Sequence, residues 1–273
     1  MSKREPTPEH PDWEVESEFD YADTLSMPEW GWEFLRRNPD YQKAWESSKN
    51  AFSAAGECGL SVVIHTTASR NALQDWGCLY SSQPTLNARH ATVFWRPDLN
   101  PRALRMTALP APVPHPAEVF SLAEMKCSSV LLHCPRGEQH LLFRDNGRGL
   151  QLAINGTDLR SKVQLVIDGT PDPIIARGQL WSYRCFVDLQ LTGKLVPSHF
   201  QREPLSPRLK QVLRALIGAQ AGASHREIAG MLFGQNRTSA EWNARGRPLR
   251  YRVRRTIHRG FELMEGGYRK LVR

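Results

Sequence analysis

The residues best suited to chemistry in this sequence are arginines near its C-terminus. The stretch 200–273 contains 14 arginines and two lysines against five acidic residues, whereas the stretch 1–57 contains six basic and 13 acidic residues. The whole chain of 273 residues carries a net charge of +8. The planar guanidinium group forms paired hydrogen bonds with phosphate oxygens and with the edge of guanine. This asymmetry predicts a polyanion, above all nucleic acid, as the partner of the C-terminal part.

The segment 248–265, PLRYRVRRTIHRGFELME, has the spacing of an amphipathic helix. Its apolar residues, from Leu249 and Val253 to Ile257 and Met264, recur every three or four positions. A helix of this width enters the major groove of B-DNA. The alternative is a basic amphipathic helix that binds RNA, acidic lipid or an acidic protein. The predicted contacts to base edges and phosphates on this helix are Arg250, Arg252, Arg254, Arg255 and Arg259.

Two shorter helices are predicted before it, giving a tri-helical domain like a helix-turn-helix. Ser206 and Pro207 begin the first, Ser224 and Glu227 form a capping box for the second, and Gly234 ends it. The pair is similar to the first two helices of the response-regulator type of helix-turn-helix, except that the long polar loop 234–247 replaces a short turn. Further phosphate contacts are expected at the start of the second helix and in this loop. They are His225, Arg226, Arg237, Arg245 and Arg247.

The rest of the chain predicts an α+β protein with a small N-terminal helical module and a β-rich middle domain. Strand-like runs such as VLLHC and QHLLFRD alternate with the turn signals DNGRG, NG and DG. The Pro-rich run LPAPVPHP is typical of a stiff spacer. The predicted parts are an acidic disordered tail over 1–18, a helical module over 19–58, an irregular connector over 59–118, a β-rich domain over 119–199 and the helix-turn-helix-like domain over 200–273.

Four aromatic residues of the N-terminal module either pack in its core or bind a partner protein. For the second role the expected partners are RNA polymerase, a second subunit or an antiactivator. Homo-oligomer formation stays open, because the sequence shows no heptad run for a coiled coil. The four residues are Trp30, Trp32, Phe34 and Trp45.

The sequence predicts no enzymatic activity, no metal site and no cofactor. Tyr268 as a recombinase nucleophile would need converging Arg and His residues, and only His258 and Arg259 precede it closely. The five acidic residues of the basic domain show no paired arrangement for the metal ions of a nuclease. Among Cys127, His133, Cys134 and His140, the adjacent pair 133–134 on one strand points to opposite faces, which disfavours zinc.

Several features predict a cytoplasmic, nucleoid-associated protein. No run of about 20 apolar residues could span a membrane, and the N-terminal sequence MSKREPTPEHPDWE lacks the apolar stretch of a signal peptide. The five cysteines are odd in number and include no CxxC, as expected for reduced thiols.

Two separate blocks resemble known regulator domains. LSPRLKQVLRALIGAQAGASHREIAGMLFG, Trp242, the Arg-rich helix and GGYRKLV together resemble the RovC-type DNA-binding domain. WGWEFLRRNPDYQKAW resembles the transcriptional regulator-like domain that precedes it, and VFWRPD its connecting region. The arrangement is similar to FseA-type excision activators of integrative and conjugative elements. The resemblance implies a bacterial transcription factor that controls excision and transfer genes or a secretion operon and is bound by a small antiactivator.

The sequence thus predicts a sequence-specific transcriptional regulator, an activator, that binds double-stranded DNA. We expect residues 200–273 alone to bind DNA and activation to need residues 1–58. The alternative is a nucleic-acid-binding adaptor without site specificity, or a protein like a replication initiator. The ratio of specific to non-specific affinity separates the two, because charge alone gives little specificity.

Overall fold

The computed structural model describes residues 11–67, 71–111, 119–135 and 137–273, which form two compact units. Unit 1 takes its described residues from Met1–Pro39, Pro84–Ala91 and Arg202–Val272, and unit 2 takes them from Asp40–Gln83 and Thr92–Gln201. The helices are α1 (Met27–Leu35), α2 (Pro39–Ser48), α3 (Pro173–Thr192), α4 (Ser206–Gln220), α5 (His225–Phe233), α6 (Gln235–Glu241), α7 (Pro248–Glu262) and α8 (Arg269–Val272). The strands are β1 (Phe52–Cys58), β2 (Ser61–Thr66), β3 (Cys78–Ser81), β4 (Val93–Trp95), β5 (Leu104–Pro110), β6 (Ser129–His133), β7 (Gln139–Asp145), β8 (Arg148–Gly156) and β9 (Val163–Ile167).

Unit 2 is built on a seven-stranded sheet in the order β1-β2-β6-β7-β8-β5-β9. The pairs β2–β6 and β5–β8 are parallel and the other neighbours are antiparallel. Alternating side chains divide each strand between two faces. On β6, Leu131 packs with Phe186 and Leu189 of α3, whereas Leu132 packs with Phe94 of β4. The sheet is therefore covered by a helix on one face and by the small β3–β4 sheet on the other.

The structure confirms a mixed α and β protein with a β-rich middle and C-terminal helices. Strands also occur where the sequence predicted a helical module, at β1, or an irregular connector, at β3, β4 and β5, and α3 lies inside the predicted β-rich stretch. Within the same connector, β2 coincides with the strand-like run LSVVIH at residues 60–65. β1 is mostly exposed and β3 has only four residues, so neither of these two strands has the apolar alternation that marks a strand.

Unit 1 joins the N-terminal segment to the C-terminal helices. α1 packs against α4, α8 and the π-helical turn Leu263–Gly267. Glu33 of α1 is fully buried, forms ion pairs with Arg36 at 3.0 Å and Arg37 at 2.7 Å, and accepts a hydrogen bond from the Ala88 amide at 2.7 Å. Burial alone raises the pKa of Glu33, but the two arginines outweigh it and lower that pKa to about 2. This cluster holds the 84–91 segment on α1.

Acidic residues before α1 lie along α4 of the same unit. Lys210 forms an ion pair with Asp23 at 2.6 Å, and Arg214 pairs with Glu16 at 3.3 Å. Arg214 also donates to the carbonyl oxygen of Trp13 at 3.0 Å. The predicted disordered tail, 1–18, falls partly on residues 1–10, outside the described residues, whereas its remaining part contributes the contacts of Trp13 and Glu16 with Arg214.

Candidate nucleic-acid interface

The core of unit 1 fixes which side of α7 faces solvent. Leu249, Val253 and Ile257 are buried and pack with residues of α4 and α5 such as Ala215 and Ile228. The apolar spacing that predicted the helix is therefore the spacing of its buried side. The opposite side of α7 is left to solvent.

Gly260 brings α7 close to α4. A Cβ at this position would lie 2.8 Å from the Leu216 Cβ and 3.3 Å from the carbonyl oxygen of Val212. No ordinary Cβ contact is as short as the first distance, so only glycine allows this approach. The close packing sets the position of the basic face on the rest of the unit.

The centre of the exposed side carries Tyr251, Arg254, Arg255 and His258, at the spacing of one helix face. We call these four residues the outer face of α7. Arg254 and Arg255 have no ion-pair partner among the residues that the structure describes, and the Tyr251 side chain is 61% exposed. Tyr251 was not among the predicted site residues, although its spacing from Arg254, Arg255 and His258 places it on the same side.

Two other predicted arginines stack on an aromatic ring of α5. The guanidinium carbon of Arg252 lies 4.8 Å from the centre of the Phe233 ring, and that of Arg237 lies 5.9 Å from it. Arg237 also forms an ion pair with Glu241 at 2.9 Å. These cation–π contacts restrain both guanidinium groups, and the N–H groups that Glu241 does not engage remain able to donate. Phe233 was not among the predicted site residues, because its spacing from Ile228 and Ala229 is that of the apolar side of α5.

The Arg250 side chain contacts residues of its own unit and is not directed into solvent. Its Nε donates to the carbonyl oxygen of Trp242 at 2.9 Å, a terminal nitrogen donates to Asn243 Oδ1 at 2.6 Å, and the guanidinium lies over the Trp242 ring at 5.0 Å. Arg259 is half-buried and pairs with Glu262 at 2.9 Å. Both residues are thus engaged within the unit, unlike Arg254 and Arg255.

The polar stretch before α7 contains a helix that the sequence did not predict. The seven residues QNRTSAE of α6 lack an apolar stripe, so no periodic signal marks them. Gly234, with a φ of 86°, turns the chain between α5 and α6. Arg237 therefore lies on a helix, while Arg245 and Arg247 are exposed in the connection that follows it. Arg247 caps α7 with a left-handed φ of 50°.

The start of α5 follows the predicted capping box. The Glu227 carboxylate accepts the Ser224 N–H at 2.7 Å, and the Ser224 hydroxyl accepts the Glu227 N–H at 3.3 Å. The hydrogen bond from the Ser224 amide lowers the pKa of Glu227. His225 and Arg226 are exposed in the first turn. The structure thus brings the outer face of α7 and the stacked arginines into one unit with the N-terminus of α5.

The aromatic residues predicted to bind a partner divide between the two units. Trp30, Trp32 and Phe34 are buried in unit 1, where Trp30 Nε1 donates to Ser206 Oγ and Trp32 Nε1 to the Leu86 carbonyl oxygen, both at 3.0 Å. These contacts give the three residues an internal packing role. Trp45 of unit 2 is partly exposed and donates to the Ser81 carbonyl oxygen at 3.2 Å.

Of the residues considered for catalysis and metal binding, Tyr268, Cys127 and His140 are buried, and His133 and Cys134 are partly buried. The Tyr268 side chain is fully buried, out of reach of a scissile phosphate in this conformation. Burial lowers the pKa of His140 to about 4 and raises the pKa of Cys134 to about 12. Within the described ranges, no three His, Cys, Asp or Glu side chains are grouped to hold a metal ion. Across the same ranges, no helix is long and apolar enough to span a bilayer.

Two family models match this chain. Residues 186–273 match the RovC DNA-binding domain, described as T6SS, transcription factor, DNA binding domain. Residues 12–80 match the proteobacterial transcriptional regulator-like domain. No curated protein matches the chain. The chain therefore carries a proteobacterial transcriptional regulator-like domain followed by a RovC-type DNA-binding domain, the domain content of a DNA-binding transcription regulator.

Proposed function

We propose that this protein is a sequence-specific transcriptional activator that reads double-stranded DNA with the outer face of α7. The observation that carries the proposal is that Arg254 and Arg255 lie on an exposed helix face without an ion-pair partner in the described part of the chain. Such a side chain gives up no ion pair inside the protein when it binds a phosphate or a base edge. A basic helix face of this width matches the major groove.

The remaining cations divide by how they are held. Arg252 and Arg237 make cation–π contacts with Phe233, which keep their guanidinium groups beside the outer face and suit them for contacts to phosphate. Arg245, Arg247 and the exposed residues at the start of α5 supply further phosphate contacts. Arg250 positions the N-terminal end of α7 through Trp242 and Asn243, so its removal disturbs the helix rather than a DNA contact.

The choice of promoters rests on the resemblance rather than on the fold. Similarity to FseA-type excision activators makes excision and transfer genes of a mobile element the first promoters to examine. The description of the matched DNA-binding domain adds a secretion operon. RNA polymerase is the partner that activation requires. A small antiactivator is the regulator that the resemblance implies.

The test selects targets first and measures affinity second. The protein is mixed with sheared genomic DNA, and the bound fragments are sequenced. The affinity for the most enriched fragment is then compared with the affinity for a fragment of shuffled sequence. We expect sharp peaks upstream of genes and a ratio of specific to non-specific affinity of about 10³ or more. Even coverage that disappears with added salt would identify a non-specific adaptor and overturn the proposal.

A double variant of α7 and a control variant test whether this helix contacts the DNA. Arg254→Ala with Arg255→Ala should lower the slope of log affinity against log salt by about 0.9 for each phosphate contact that the substitutions remove. A contact to a base lowers the specificity ratio instead. Arg177→Ala removes an exposed arginine from unit 2 and is the matched control. An unchanged slope and ratio in the double variant would show that α7 is not the reading helix.

A further inference from the structure

The outer side of α3 in unit 2 carries a continuous apolar stripe. Its inner side, including Phe186 and Leu189, is buried against the sheet. On the outer side, the Leu180 side chain is 68% exposed and the Leu191 side chain 78% exposed. The helix has 20 residues, which corresponds to a length of about 30 Å. The stripe, whose members follow one another at intervals of three or four, consists of Ala176, Leu180, Tyr183, Val187 and Leu191.

Scattered exposed leucines are common on protein surfaces, but an aligned set is not. Members of the stripe lie above one another on the same side of the helix, because residues three and four apart are neighbours there. The sheet already covers the buried side of α3. The outer stripe therefore adds nothing to the core of unit 2.

The charges beside the stripe are of one sign. Arg177 and Arg184 are exposed next to it and have no ion-pair partner in the described part of the chain. The helix's two acidic groups are engaged within the unit. Asp172 caps the helix by accepting the Ile174 N–H at 2.8 Å, and Asp188 contacts His199. The outer side of α3 thus presents apolar and positively charged groups.

We propose that the outer face of α3 docks an amphipathic helix of a partner protein, whose apolar stripe is bordered by aspartate or glutamate. Helices recognise one another through apolar residues at this spacing, and flanking charges select the partner. A second copy of the same face would bring arginines against arginines, which disfavours self-pairing. The site differs from the DNA-reading face, so it does not depend on the proposed function.

The experiment uses a designed probe and the full chain. A fluorescent helical peptide of about 20 residues carries leucine at the apolar spacing and glutamate on both borders, and a second peptide carries lysine in place of glutamate. Fluorescence anisotropy measures binding of each peptide to the protein. We expect the glutamate peptide to bind at least about tenfold more tightly than the lysine peptide.

Variants assign the binding to α3. The double variant Leu180→Ser, Leu191→Ser should bind the glutamate peptide about tenfold or more weakly than the wild type does. Arg177→Glu with Arg184→Glu should reverse the preference between the peptides. All four side chains are exposed, so the melting temperature should stay unchanged. Leu60→Ser, a leucine that is 59% exposed and lies outside α3, is the matched control and should leave binding intact.

Three results would overturn the proposal. The first is no binding of the glutamate peptide at about 100 µM protein. The second is equal binding of both peptides, or equal weakening by Leu60→Ser, because either would indicate unselective apolar adhesion. The third is a dimer in sedimentation velocity that Leu180→Ser and Leu191→Ser dissociate, which would assign the face to a second copy.

Discussion

The indole Nε1 of Trp30 donates a hydrogen bond to the hydroxyl of Ser206 at 3.0 Å, joining α1 to the first turn of α4 across 176 positions of sequence. Both residues are buried. Two further contacts follow the same route: Asn38 Nδ2 donates to the Met264 carbonyl oxygen and Gln220 Nε2 to that of Arg37, each at 3.2 Å. The N-terminal segment is thus part of the unit that contains the basic helix.

The first prediction is that the C-terminal helices need α1 to fold. The fragment 200–273 lacks Trp30, Phe34 and Leu35, all fully buried in unit 1, so it exposes the apolar surface that they cover. We expect the fragment to show no cooperative thermal transition by circular dichroism, and to bind DNA weakly. This differs from the expectation, formed from the sequence, that residues 200–273 suffice.

Single substitutions in the full chain also test whether α1 stabilises unit 1. Trp30→Ala should cost about 3–5 kcal/mol of the free energy of unfolding, because it leaves a large cavity and an unpaired Ser206 hydroxyl. Trp45→Ala, which removes a partly exposed tryptophan from unit 2, is the matched control and should cost less. A fragment 200–273 that melts as cooperatively as the full chain would refute the role of α1.

The second prediction concerns Tyr251 on the outer face of α7. A tyrosine cannot neutralise a phosphate, but its ring and hydroxyl can contact base edges. Tyr251→Ala should lower the specific affinity by about tenfold, with the salt slope and the non-specific affinity unchanged. Titration of specific and shuffled duplexes at several salt concentrations measures all three. An equal decrease on both duplexes would place the residue against the DNA backbone instead.

The third prediction is that Gly260 cannot carry a side chain. The methyl group of Gly260→Ala would lie 2.8 Å from the Leu216 Cβ, so α7 must move away from α4. We expect a decrease of about 1–3 kcal/mol in the free energy of unfolding, measured by urea denaturation, and weaker DNA binding. Gly169→Ala is the matched control, because nothing lies within 4 Å of its Cβ position. A neutral Gly260→Ala would show that the two helices separate freely.

Local signals in the sequence were enough for part of this fold. Apolar spacing and caps predicted α4, α5 and α7, because these helices bury one side only and begin at Ser or Pro residues. They did not predict α6, which lacks an apolar stripe, or α3, whose apolar residues lie on both faces and blur the helical period. The pairing of α1 with α8 depends on complementary surfaces of segments far apart in sequence. No local pattern encodes such a pairing.

The candidate site was predictable to the same degree. Residue type and spacing identified the arginines of α7, since charge and period are local properties. They could not separate Arg250, held by Trp242 and Asn243, from Arg254 and Arg255, which have no ion-pair partner in the described ranges. That distinction depends on tertiary neighbours. The buried aromatic residues of α1 show the same limit, because a tryptophan has the same local pattern in a core and at an interface.

The last prediction is a pH dependence that originates in unit 2. His140 is buried on β7, and neither ring nitrogen has a hydrogen-bond partner among the described residues. Burial lowers the pKa of its imidazole from 6.5 to about 4. The unfolded chain therefore binds a proton at this position at a higher pH than the folded chain does. Stability should fall as the pH drops below about 6.5, by about 2 kcal/mol between pH 7 and pH 5 from this residue.

His140→Leu should remove that part of the dependence, because leucine fills a similar volume and does not titrate. Urea denaturation at several pH values gives the free energy of unfolding for both proteins, and the difference between the two curves isolates the residue. His90→Leu removes an exposed histidine and is the control for the removal of one imidazole. Parallel curves for the wild type and His140→Leu would mean that the folded protein hydrates or pairs this side chain, so that its protonation no longer opposes folding.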